Sequence, residues 1–97
     1  MDSGHCRHRT GKKLNRCRSY DVSSISDCRA ACTSYDLCLG YIYETSDSPI
    51  CRLIPSSNAC PSGYDLLRNI NTQLATTAND IVQNDAENLD VQCYVKM

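Results

Sequence analysis

Two groups of side chains in this 97-residue chain have types and spacings that could do chemistry: eight cysteines and a run of cations near the N-terminal end. The cysteines stand at positions 6, 17, 28, 32, 38, 51, 60 and 93. A thiolate can bind a soft metal, attack an electrophile, or oxidise with a partner. His5-Cys6-x-His8 sets two imidazoles beside a thiolate, a combination that suits zinc, copper or nickel. Structural zinc sites, however, group their ligands as Cys-x2-4-Cys knuckles in chains otherwise poor in cysteine. Here seven further cysteines follow, in a disulfide-like spacing. A cysteine nucleophile must be a free thiolate near a base, and an even count leaves none over. Ser23, Ser24 and Ser26 sit where a helix is expected to begin, which is ordinary capping chemistry. The carboxylates are scattered. The expectation is therefore no catalytic residue, no metal site and no cofactor.

The cations are Arg7, Arg9, Lys12, Lys13, Arg16 and Arg18, six of the ten basic side chains, with no acid between Asp2 and Asp21. Gathered on one surface, they could bind sulfated or sialylated polysaccharide, anionic lipid or acidic protein. The plainer alternative is a solvated strand that balances the acidic last third, with Asp80, Asp85, Glu87 and Asp90. Nucleic acid is not expected, because aromatic residues hardly interleave with the cations. Tyr41 and Tyr43 share one strand face, with Tyr35 and Tyr94 as candidate neighbours. Core packing is their ordinary role; on an exposed face they would suit a protein or sugar partner.

Composition sets the scale for these groups. Only 41% of residues are hydrophobic, with no Phe or Trp, which is thin for one stable domain. Cross-links are the usual remedy, and so many cysteines point to four disulfides in an oxidising, secreted or extracellular setting. No run approaches the roughly 20 apolar residues of a membrane span, and no signal-peptide core is present, so the chain reads as a mature form.

The elements that must position these groups follow from pattern. Ser24-Ile25-Ser26-Asp27 fits a capping box, and Ile25, Cys28, Cys32 and Tyr35 fall on one helical face. Leu37, Leu39, Tyr41 and Tyr43 alternate with Cys38, Gly40 and Ile42 as a strand does. Thr45 to Pro49 is a turn, and residues 50–54 form the return strand. Gly40 in mid-strand marks a bulge or a close backbone approach. Before the helix, a turn is expected at Thr10-Gly11 and a short strand near residues 14–20. Residues 55–64 form a loop anchored by Cys60. Leu67, Ile70, Leu74, Ala78, Ile81 and Leu89 stand near helical spacing, while Thr76-Thr77 and several Asn and Asp residues oppose it. A helix over 72–84 and a long ordered loop both remain open there. Val91, Cys93 and Val95 alternate as a final strand.

The helix Asp27-Cys28-Arg29-Ala30-Ala31-Cys32, then Cys38-Leu39-Gly40-Tyr41-Ile42-Tyr43, then Ile50-Cys51-Arg52-Leu53 together resemble the PAN/apple domains. That core covers about 30 residues. The resemblance implies an α+β fold, a small disulfide-rich PAN/apple-like domain with one helix packed on an antiparallel β-sheet. It spans 1–97, with a core at 22–55 and a segment at 64–90 longer and more polar than usual. Eight cysteines can pair in about a hundred ways. The resemblance implies Cys28–Cys51 and Cys32–Cys38, and a terminal tie Cys6–Cys93 like that of apple-type members; Cys17–Cys60 then remains. It also implies a non-catalytic extracellular recognition module for a protein or a carbohydrate, some relatives binding heparin-like chains. A structural or self-assembling matrix component, forming homo-oligomers through the tyrosine face or a sheet edge, is the alternative.

Overall fold

The computed structural model describes residues 6–19, 22, 24–45, 49–83 and 91–96. His5, Tyr20, the acidic residues 85, 87 and 90, Leu89, and the centre of the turn at 46–48 lie outside them. In chain order the elements are β1 (Cys6–His8), β2 (Lys13–Leu14), β3 (Arg16–Ser19), α1 (Ile25–Ser34), β4 (Cys38–Glu44), β5 (Ile50–Pro55), β6 (Asp65–Leu67), β7 (Thr72–Gln73), a 3-10 turn (Ala78–Asp80), β8 (Ile81–Gln83) and β9 (Val91–Val95).

Helix α1 begins where its cap signal stands. The Ser24 hydroxyl accepts the Asp27 N–H at 3.2 Å, and Asp27 sets a negative charge in the first turn. It ends without a glycine, as Tyr35 turns into extended backbone. The Lys96 ammonium instead donates to the carbonyls of Cys32 and Tyr35 at 3.0 and 3.2 Å, so the last strand caps the helix. The expected face is the buried one. Cys28 and Cys32 are covered, and Ile25 and Tyr35 pack on the same cluster.

Beneath the helix lies a five-stranded antiparallel sheet in the order β6-β3-β5-β4-β9. The bulge expected at Gly40 is present: Cys38 pairs with Pro55 and Gly40 with Ile54, leaving Leu39 as the extra residue. That extra residue shifts the side-chain alternation. Cys38, Tyr41 and Tyr43 therefore face the helix, while Leu39 and Ile42 face the other way. Gly40 also answers to a close approach. A Cβ there would lie 2.5 Å from the Tyr94 carbonyl oxygen on β9.

The other face of this sheet is covered by a second, four-stranded sheet, β7-β2-β1-β8, in which β2 and β7 run parallel. Cys6, Leu14, Ala75 and Ile81 meet Ile42 and Ile54 there in a second core. The α+β class holds, with one α-helix among the described residues and antiparallel pairing throughout the larger sheet.

The segment from 64 onward forms neither one helix nor a plain loop over its described residues. It supplies β6, β7 and β8, each an edge strand. A helical stripe fails because Ile70 is 91% exposed whereas Ala75 and Ile81 are buried. Thr76 and Thr77 instead donate backbone N–H groups to the Asp80 carboxylate at 3.0 and 3.4 Å, which fixes the 3-10 turn. The strand expected near 14–20 is broken at Asn15 into β2 and β3.

Four disulfides join Cys6–Cys93, Cys17–Cys60, Cys28–Cys51 and Cys32–Cys38, with Cα–Cα distances of 5.2 to 5.6 Å. The second and third tie into the helix-side core, the first ties β1 to β9 across the sheets, and the last clips the end of α1 to the start of β4.

Candidate anion-binding groove

The hairpin of β1 and β2 turns at Gly11, whose φ of +93° favours a residue without a Cβ. Gly11 N–H donates to the His8 carbonyl at 2.8 Å and His8 N–H to the Lys12 carbonyl at 2.9 Å. Arg7 then stands opposite Lys13. Lys13 in turn sits beside Thr72, because β2 and β7 pair in parallel. A groove of about 410 Å³ results, lined by Arg7, Gly11, Lys12, Lys13, Arg16, Asn69, Asn71 and Thr72. Four of those residues are cationic and none is an acid.

One side chain behind the groove holds its two walls together. Asn15 is 6% exposed. Its Oδ1 accepts the Thr72 hydroxyl at 2.5 Å, its Nδ2 donates to Asn58 Oδ1 at 2.9 Å, and its backbone N–H donates to the Gln73 carbonyl at 3.1 Å. The Thr10 hydroxyl adds a bond to Gln73 Oε1 at 2.8 Å. The cationic hairpin and the 69–72 turn are thereby fixed to each other.

Under the groove, β3 and β5 carry a row of arginines on the face away from the helix. Arg18 pairs directly with Arg52, and Arg16 is the next outward residue on β3. Like charges set opposite one another repel. Burial and the charges of Arg52, Arg18 and Arg7, in that order, push the Arg16 pKa below its usual value. The Nε atoms of Arg16 and Arg52 are buried without a hydrogen-bond partner. Two acids border the row: Glu44 lies 3.4 Å from Arg52, and Asp65 is the register neighbour of Arg18 on β6. Among the described residues here the cations outnumber the acids, a balance that favours an anion in the groove.

The six expected cations are therefore divided. Arg7, Lys12, Lys13 and Arg16 line the groove, and Arg18 lies in the row beneath it. Arg9 is elsewhere, its Nε bonded to Asp80 Oδ1 at 2.9 Å. Tyr41 and Tyr43 lie in the helix-side core at 5% and 4% exposure. Tyr41 stacks on Tyr94 with ring centroids 5.0 Å apart, and its hydroxyl accepts the Arg29 Nε–H at 3.1 Å. The ring of His8 is buried, and its Nδ1 accepts the Thr10 N–H at 3.2 Å.

Sequence reasoning missed Asn15, Asn69, Asn71 and Thr72. The one local signal for them was the Asn-x-Asn-Thr cluster at 69–72, a turn-forming composition. No family model, no curated protein and no solved structure matches this chain.

Proposed function

We propose that this chain is a non-catalytic recognition module of the extracellular space, which binds an anionic glycan or an acidic protein through the groove of Arg7, Lys12, Lys13 and Arg16. The observation that carries the reading is the convergence of four cations on one concave surface with no acid among its described lining residues, held by hydrogen bonds between its walls. Such a surface concentrates anions and steers their approach. Four disulfides suit an oxidising compartment. The PAN/apple resemblance adds a family in which small cross-linked domains bind proteins and carbohydrates. A self-associating role would have to use a sheet edge, because Tyr41 and Tyr43 are in the core.

Retention on immobilised heparin tests the groove. The wild-type protein is expected to elute above physiological salt. The Lys12→Ala/Lys13→Ala double variant is expected to elute near it, because both lysines are exposed and removing them leaves the fold intact. Unchanged elution of that variant would remove the groove as the binding site.

A further inference from the structure

Ile70 stands in the chain between Asn69 and Asn71, two residues that line this groove, and 91% of its surface is exposed. The turn that presents it is built. Asn69 N–H donates to Thr72 Oγ1 at 2.9 Å, Thr72 N–H to the Asn69 carbonyl at 3.1 Å, and Asn71 N–H to Asn69 Oδ1 at 2.7 Å. The Thr72 hydroxyl then ties the turn to buried Asn15. Local bonds thus fix the turn while its one large apolar side chain is left in water. Exposed Lys12 and Lys13 line the same groove as its neighbours Asn69 and Asn71.

We propose that the groove takes an acidic polypeptide segment, whose carboxylates meet Arg7, Lys12, Lys13 and Arg16 while an adjacent apolar side chain packs on Ile70. This rests on the anion-binding reading above and names the partner. A sulfated glycan supplies charge and hydroxyls but no aliphatic side chain to cover an isoleucine. A bilayer is broad and flat, whereas these cations line a concavity of about 410 Å³. The strongly anionic leaflet of a cell membrane is also the cytoplasmic one, which an extracellular protein does not meet. An acidic segment with one apolar residue supplies both chemistries. Covering most of an isoleucine side chain corresponds to about a tenfold gain in affinity.

The test is a double-mutant cycle between protein and peptide. One fluorescent peptide carries glutamates around a central leucine, and a second has serine in place of that leucine. Each is titrated into wild-type, Ile70→Ser and Lys12→Ala/Lys13→Ala proteins, all checked for the same non-reduced disulfide map. Heparin retention and sedimentation with phosphatidylserine-containing vesicles are measured on the same proteins. The leucine peptide is expected to bind the wild type about tenfold more tightly than the serine peptide. That gap should vanish in Ile70→Ser while heparin retention stays unchanged. A gap that survives in Ile70→Ser, or failure of both peptides to bind while heparin does, overturns the proposal. So does a dependence on Ile70 seen with vesicles and not with peptides. If Lys12→Ala/Lys13→Ala keeps both heparin and peptide binding, the groove itself is wrong, and the proposal falls with it.

Discussion

Asn15 and Asp80 show how single polar side chains set this surface. Asn15 is buried and bonded on both the amide oxygen and the amide nitrogen. Replacing it with leucine keeps the volume but strips partners from the Thr72 hydroxyl and Asn58. Asn15→Leu should cost about 1–3 kcal/mol in urea unfolding, and heparin retention should weaken because the 69–72 wall is released. Asp80 accepts bonds from Thr76 N–H, the Thr76 hydroxyl, Arg9 and Thr77 N–H, and these hold its pKa down from 3.8 to about 2. The Thr76 backbone bond is the largest cause. A carboxylate with a depressed folded-state pKa stabilises the fold above its unfolded pKa, and loses that contribution as pH falls through the folded value. Thermal stability should therefore drop between about pH 4 and pH 2, and Asp80→Asn should flatten that part of the curve. None of this was legible from the residues alone. A lone asparagine reads as a turn former, and Arg9 looks like its cationic neighbours because its acid partner stands 71 residues later.

At the scale of elements, the bulge in β4 decides which way the sulfur atoms point. With Leu39 as the extra residue, Cys38 faces the helix and meets Cys32. Deleting Leu39 would remove the bulge and leave Cys38 directly before Gly40, so that simple alternation keeps Cys38 on the same helix-facing side as Tyr41. Non-reducing peptide mapping of that deletion should still find the Cys32–Cys38 bridge, whereas free thiols at 32 and 38 would contradict this register. Gly40→Ala tests the same corner by crowding, since its Cβ would meet the Tyr94 carbonyl. It should destabilise the protein by about 1–3 kcal/mol, with the loss seen in urea unfolding. The helix, the hairpin and the last strand were readable because each is long enough to show a period and carries its own start or stop signal. The 64–83 region was not. Strands of two and three residues carry too little alternation to read, and their partners lie far away in the sequence. Ile70 counted there as one more apolar position, although no packing partner covers it.

The whole molecule is two modest cores, one on each face of a single sheet, held by sulfur. In the chain-entropy account, the Cys6–Cys93 bridge, closing 87 residues, contributes about 4.5 kcal/mol, and Cys28–Cys51, closing 23, about 3 kcal/mol. Net stabilities of domains are about 5–15 kcal/mol, so full reduction should unfold the chain. Loss of far-UV and near-UV circular dichroism together on adding reductant would show it. In the proposed function, that scaffold holds Arg7, Lys12, Lys13 and Arg16 around one groove against their mutual repulsion. The most direct test of that claim is the salt dependence of heparin affinity for the wild type and for Lys12→Ala/Lys13→Ala. Each ionic contact to a dense polyanion contributes about 0.7–0.9 to the slope of log K against log salt. The account predicts a slope shallower by about 1.4 to 1.8 in the variant, whereas equal slopes would mean that heparin binds elsewhere and would contradict it.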